Sequence, residues 1–415
     1  MRYIVLKKIF LYILLLPSLL FKNMVSMQHT FASGNEKGII KIWKIFIPKK
    51  TNKQAKLICI QTLDKPEYPE AISVLCSSPC TKYLFSSAKN NSLQVWKKEN
   101  GQFKHFQTLQ KSIKYRVYDT TICLTPCGTY LFSEYKYRTI NVWKRSSTAK
   151  SMTKWKCIQA LTESEDGFRP RFHSLCTSHC GKKLFSGNSD GAITIWENQH
   201  DCWKGIYSVD PFKAHITAVT FLCSLPNRKH FISGSRSGKS IKTWKEDHNQ
   251  CHCVQTLNKP KEQHIEKIAS LCMSFCGTHF FAGAMDKSIK IWKKKHNEWQ
   301  YTQTVDDSGK DINYHDTTNS LSLMPCEAYL FSVACKEAIK IWLNKRGKWQ
   351  CIQQLDNTDS IRSLCLIKKK ENLDKKERLE FLQKKSNMLV AARLWTKTKD
   401  KKEIKKEDYT LCTIL

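Results

Sequence analysis

The sequence predicts an all-β fold, a closed ring of four-stranded antiparallel sheets, or β-propeller, and two observations predict it. Trp43, Trp96, Trp143, Trp196, Trp244, Trp292, Trp342 and Trp395 stand 47 to 53 residues apart, and the first seven each close a segment like Ile-Lys-Ile-Trp-Lys. Between them the same order of short apolar strands and turn residues returns each time, and self-similarity at such a period is the mark of a repeat architecture.

Each unit opens with an alternating strand such as Ile72-Ser73-Val74-Leu75-Cys76, followed by a turn such as Ser78-Pro79-Cys80 or Thr125-Pro126-Cys127-Gly128. A second strand follows, such as Leu184-Phe185-Ser186-Gly187, then the strand ending in Trp, then an outer strand such as Cys351-Ile352-Gln353-Gln354-Leu355. Period-two alternation bounded by Gly, Pro, Asn and Asp reads as strand and turn. One such sheet cannot bury both of its faces, so the units must stack on their neighbours, and closing the stack leaves only protected edges.

The expected propeller spans 18–415 and has eight blades, the last one degenerate: residues 361–366 as its inner strand, 388–395 as its third and 409–415 as its outer strand. The alternative is seven blades plus a tail, with 361–366 completing the first blade. Residues 368–386 are a charged insertion with helical spacing of Leu373, Leu379 and Phe381, and 397–408 is a basic stretch. The apolar N-terminal segment 1–17 leaves three readings open: a secretory signal, a membrane anchor, or a lead-in to a worn inner strand beginning at Ser18.

Composition narrows the functional classes. A hydrophobic content of 41 % with 12 Trp, 14 Tyr and 19 Phe excludes a disordered chain. The formal charge of +33 suggests polyanions, yet only 12 of the 69 basic residues are Arg, so a lysine-biased solvated surface is the expectation. The 19 cysteines are odd in number and recur by position: Cys76, Cys123, Cys176, Cys223, Cys272 and Cys365 on inner strands, Cys80, Cys127, Cys180, Cys276 and Cys326 in turns, and Cys59, Cys157, Cys253 and Cys351 on outer strands. That pattern implies free thiols inherited with the repeat and a reducing, cytoplasmic setting.

With this spacing and the Trp-closed third strand, residues 18–415 resemble the WD-repeat family. The signature dipeptide departs from the family, because Lys44, Lys97, Lys144, Lys245 and Lys293 follow the tryptophan and only Glu197 stays acidic. The resemblance implies a buried network tying strands together within a blade, carried by Ser186, Asp190 and Trp196 in one unit and by His264, Asp286 and Trp292 in another. At the position of the family's histidine the repeats carry Tyr68, Tyr115, Phe168, His215, His264 and Tyr314, so packing substitutes for hydrogen bonding at most of them.

No catalytic motif stands out. Gly238-Lys239-Ser240 ends like a phosphate-binding loop, but Ser233 stands where the first glycine belongs. His248, Cys251, His252 and Cys253 are compact enough for a metal, but Cys253 belongs to the outer-strand pattern, so neither metal nor cofactor is expected. The expectation is therefore a non-enzymatic scaffold binding other proteins through loops and faces, without a small-molecule substrate. The alternative is a basic propeller that binds RNA or an anionic membrane. Loops that join outer strands to the next unit are acidic, with Glu67, Glu163, Asp166, Asp306, Asp307 and Asp356, and loops after each Trp are basic. Tyr135, Tyr137, Arg138 and Arg236 are the candidate interface. Cys412 heads a terminal Cys-Thr-Ile-Leu that reads as a prenylation box, so either terminus offers a route to membrane association.

Overall fold

The computed structural model describes residues 28–367 except 47–55, 64–69, 112–120, 136–138, 147–153, 163–170, 227–228, 236–239, 248–249, 258–267, 275, 285–287, 297, 306–317, 325–327, 335–338, 346 and 356–359; residues 1–27 and 368–415 lie outside. Within those limits the chain forms seven four-stranded antiparallel sheets. Blade 1 combines Ile361–Ile367 with Gln28–Asn35, Ile40–Phe46 and Lys56–Leu63. From the inside outward, blade 2 holds Ile72–Ser77, Tyr83–Ala88, Leu93–Glu99 and Gln102–Gln110, and blade 3 holds Ile122–Leu124, Tyr130–Tyr135, Thr139–Arg145 and Trp155–Leu161. Blades 4 to 7 repeat the order, with inner strands Phe172–Thr177, Val219–Ser224, Ile268–Met273 and Thr318–Leu323.

Seven blades is the alternative the sequence left open, and the reason is pairing. Ile361–Ile367 lies antiparallel to Gln28–Asn35 in blade 1, so it closes the first sheet and does not begin an eighth. The inner place once assigned to the chain from Ser18 is thereby filled, and the ring is sealed by a strand from far along the sequence. The segments 368–386, 388–395, 397–408 and 409–415 lie outside the described residues.

Two interactions repeat around the ring. Inside a blade, the indole Nε1 donates to a serine on the second strand: Trp43 to Ser33, Trp96 to Ser86, Trp143 to Ser133, Trp196 to Ser186, Trp244 to Ser233 and Trp342 to Ser332, at 2.7–2.9 Å. Blade 6 has Ala282 at that place, and Trp292 stacks on Phe280 with centroids 4.6 Å apart. Between blades, an outer-strand glutamine forms two bonds with the backbone of an aromatic in the next blade. Gln61 clasps Phe103 this way, Gln107 Trp155, Gln159 Trp203, Gln255 Trp299 and Gln303 Trp349.

A bulge one residue before each glutamine makes that reach geometrically available, since an extra residue bends the strand and increases its twist. The extra residues are Ile60, Ile158, Val254 and Ile352 among others, and their exposure is the cost of turning the glutamine inward. In blade 4 Tyr207 holds the glutamine's register position, and in blade 5 Cys251 holds the aromatic's. Both partners of that clasp are replaced together and pack within one apolar cluster. At the ring closure, Gln353 Oε1 is buried with no hydrogen-bond partner.

The first turns also pack in sequence around one end. A Cβ on Gly277, whose φ is +69°, would lie 2.8 Å from Cδ of Pro226 in the preceding blade. That close approach and left-handed backbone explain the Cys-Gly turns.

Blade 6 supplies the test of the indole–serine bond. Ser186→Ala leaves a buried N–H of Trp196 without its partner and should cost about 1–3 kcal/mol, whereas Ala282→Ser offers Trp292 a partner and should gain up to about 1 kcal/mol. Urea unfolding midpoints of the two variants should move in opposite directions, and a loss of stability in Ala282→Ser would refute the account.

Candidate functional site

The inner strands bound the axis, and six of the seven begin with the same irregularity, while Ile122–Leu124 of blade 3 pairs in unbroken register. Pairing shifts by one residue between Ile72 and Val74, between Phe172 and Ser174, between Val219 and Phe221, and between Ile268 and Ser270. The same shift leaves Asn319 and Arg362 unopposed in blades 7 and 1. The extra residues therefore form a circle of bulges at one mouth of the channel: Ser73, His173, Thr220, Ala269, Asn319 and Arg362. A bulge re-aims a side chain and is over-represented beside active sites.

The chemistry of that circle is polar. The hydroxyl oxygens of Ser73 and Thr220 are buried and have no hydrogen-bond partner. Half-buried His173 adds an imidazole. Arg362 donates twice to Glu36 Oε1, from Nε at 3.0 Å and Nη2 at 2.6 Å. At the same mouth Arg171, immediately before the inner strand of blade 4, donates from Nε to Glu134 Oε1 of blade 3 at 2.9 Å. Glu134 is only 4 % exposed and Arg171 is 23 % exposed, so the acid is shut in while the guanidinium reaches the surface.

Glu134 departs from its repeat. At its register position the other second strands carry Gly34, Ser87, Gly187, Gly234, Gly283 and Val333. A Cβ on Gly34 would lie 2.4 Å from Ile72 Cγ2, and one on Gly187 would lie 2.6 Å from Val219 Cγ1, because the next blade presses there. A carboxylate in such a place needs a cation, and Arg171 supplies it. A single acid at an otherwise small position was the sequence signal for this pair, and it went unused, as did His173.

The residues singled out from sequence fall as follows. Ser186 bonds Trp196, but Asp190 sits apart, its Oδ1 accepting from the Ala192 backbone N–H at 3.0 Å in a turn. Trp292 lies opposite Phe280 and has Ala282 at the place of the serine, and His264 and Asp286 lie outside the described residues. Tyr135 ends the second strand of blade 3 and is half-buried; Tyr137, Arg138, Arg236 and Cys412 lie outside, as do Glu67, Glu163, Asp166, Asp306, Asp307 and Asp356. Every described cysteine is a free thiol. Cys251 is buried and Cys253 exposed, and His248 lies outside. No described helix is long and apolar enough to cross a membrane.

The histidine network exists in a blade that was not assigned one. His215 Nε2 meets Ser233 Oγ at 2.7 Å, its Nδ1 meets Ser240 Oγ at 3.0 Å, and Trp244 donates to the same Ser233. Ser240, the end of the loop-like Gly-Lys-Ser, thus anchors a histidine. In blade 3 Gln110 does the histidine's work, accepting from Ser133 Oγ at 2.6 Å.

Three segments of the chain, 57–97, 206–245 and 251–293, match the family described as WD domain, G-beta repeat. These matches and the seven blades are consistent with a WD-repeat protein. No curated protein matches its sequence. Among solved structures it is similar to a protein from Lactobacillus plantarum at 12 % identity, over 82 % of this chain and 100 % of that one, with a TM-score of 0.64. A periplasmic gluconolactonase from Pseudomonas aeruginosa follows at 12 % identity over 82 % and 99 %, with a TM-score of 0.62. A putative 6-phosphogluconolactonase from Bacteroides fragilis is similar at 14 % identity over 82 % and 98 %, with a TM-score of 0.59. These likenesses establish the fold. They also overturn the inference from missing motifs to a non-enzymatic scaffold, because the same ring occurs in proteins named as enzymes. Strand ends of different blades can assemble a site that no contiguous motif announces.

Burial, with the charge of Lys242 adding to it, pushes the pKa of His215 down to about 4. The folded state holds this imidazole neutral while the unfolded chain protonates it near the usual ~6.5, so its contribution is complete above that pH and is lost as pH falls toward 4. The gap corresponds to about 3 kcal/mol. Urea midpoints should fall between pH 7 and pH 4.5 in the natural chain, and His215→Gln should remove that part of the slope; an unchanged slope would exclude His215 as its source.

Proposed function

We propose that the chain is a hydrolase that opens a small cyclic ester, of the sugar-lactone class, at the bulged mouth of its channel. The observation that carries this reading is the circle of bulges, which sets imidazole, hydroxyl and guanidinium groups from separate blades around one opening. The similar folds named for gluconolactone and its 6-phosphate support the substrate class. The acid–guanidinium pairs supply the recognition: Glu134 fixes the fork of Arg171, and Glu36 fixes that of Arg362, so each cation is pre-oriented for a carboxylate or phosphate.

In the proposed reaction His173 takes a proton from a water whose oxygen attacks the lactone carbonyl carbon. The ring carbon–oxygen bond breaks, the proton passes to the departing ring oxygen, and the product is the open hydroxy acid. Glu134 is a positioning residue here, acting through Arg171.

The test is acid release from glucono-δ-lactone and from its 6-phosphate by the purified full chain. His173→Asn should lower kcat by about 10²–10⁴-fold. Arg171→Met should raise KM, more for the phosphorylated substrate, with a smaller effect on kcat. A natural chain that hydrolyses neither lactone faster than buffer does, or a His173→Asn variant with full kcat, would end the proposal.

A further inference from the structure

The opposite end of the ring carries a different surface. In each blade the first and third turns share one end of the sheet, and the packing of Gly128 on Pro79, Gly181 on Pro126 and Gly277 on Pro226 keeps the first turns of successive blades together. Exposed lysines stand on those turns around the ring: Lys82, Lys182 and Lys229 on first turns, and Lys295, Lys345 and Lys348 on third turns. Acids at this end are engaged by other lysines, Glu99 by Lys97, Asp201 by Lys144, Glu246 by Lys183 and Asp247 by Lys245. Glu298 stands opposite Lys295 in register, but Lys82, Lys182, Lys229, Lys345 and Lys348 are not paired with those carboxylates and add to the positive field.

We propose that this end docks flat on an anionic lipid surface. An annulus of turns at one level offers many lysines to a plane at the same time, and a lysine ammonium is a strongly hydrated point charge suited to a diffuse surface potential. Nucleic acid fits less well. Single strands are held by stacking on aromatic faces and by arginine forks, but the outer-strand aromatics at this end, Phe103, Trp155, Trp203, Trp299 and Trp349, are buried. Such docking leaves the bulged mouth on the far side of the ring, facing away from the lipid.

The experiment is co-sedimentation of the full chain with phosphatidylcholine vesicles, pure or containing about one-third phosphatidylserine, at low and high salt. Binding should require phosphatidylserine and weaken as salt rises. Each lysine at a charged membrane is worth about five-fold in affinity, so the triple variant Lys295→Glu/Lys345→Glu/Lys348→Glu should lose at least about 100-fold. Lys111→Glu/Lys213→Glu, changed near the opposite end, should bind nearly as the natural chain does. Equal binding to pure phosphatidylcholine, an equal loss in the control variant, or tighter binding to generic single-stranded RNA than to the anionic vesicles would overturn the proposal. Lactone hydrolysis in solution is measured without vesicles, so failure of either result leaves the other standing.

Discussion

The ring depends on what happens between outer strands. A four-stranded sheet with both faces apolar is unstable alone, and five of the seven blades receive an aromatic from the next: among them Trp155 meets Phe85 edge-on at 5.2 Å, Trp203 meets Phe132 at 4.8 Å and Trp349 meets Phe281 at 5.1 Å. The clasping glutamine holds the backbone of the same aromatic, so apolar contact and hydrogen bonding are satisfied at one point. An amide side chain there extends a β-ladder from one sheet to its neighbour where no backbone could. The clasp pairs the backbone N–H and C=O of the aromatic with one amide, and the ring gains order without a continuous sheet. Where glutamine and aromatic are both replaced, Tyr207 and Cys251 join the two blades through one apolar cluster.

Much of this was legible in the chain. The tryptophan period, the order of four strands and the serine opposite the indole all recur locally, within a unit, and local recurrence is visible to inspection. Blade number was not local. Ile361–Ile367 resembles every other inner strand, and nothing within its seven residues says whether it opens a new sheet or completes the first. Only its long-range pairing with Gln28–Asn35 decides.

The site was hidden for a related reason. His173, Ser73 and Thr220 look like ordinary alternating strand residues, and what distinguishes them is the one-residue slip in pairing that places them on a bulge. Register is a property of two strands, so no reading of one strand reveals it. Glu134 was different. Its neighbours in the repeat are glycine, serine and valine, and a lone carboxylate among them marks a place where uniform packing gives way to a specific electrostatic contact. His215 was similarly visible at its aligned position, beside the incomplete set of His264, Asp286 and Trp292. In blade 5 the circuit closes through Ser240.

A repeat fold keeps its stability and its variation in separate places. The indole–serine bonds and the glutamine clasps lie inside and between blades, where substitution is costly and the residues stay alike. The strand ends carry no such burden, so each blade is free to vary there: serine in one, histidine in another, arginine in a third. Variation among otherwise equivalent positions is then the informative signal, because identical blades could offer only a symmetric mouth, and an asymmetric ligand needs different groups at different places around it. The chain concentrates that asymmetry at one end and its exposed lysines at the other. A ring with two such unlike ends has a built-in direction, and any surface or substrate it meets is presented with one end or the other.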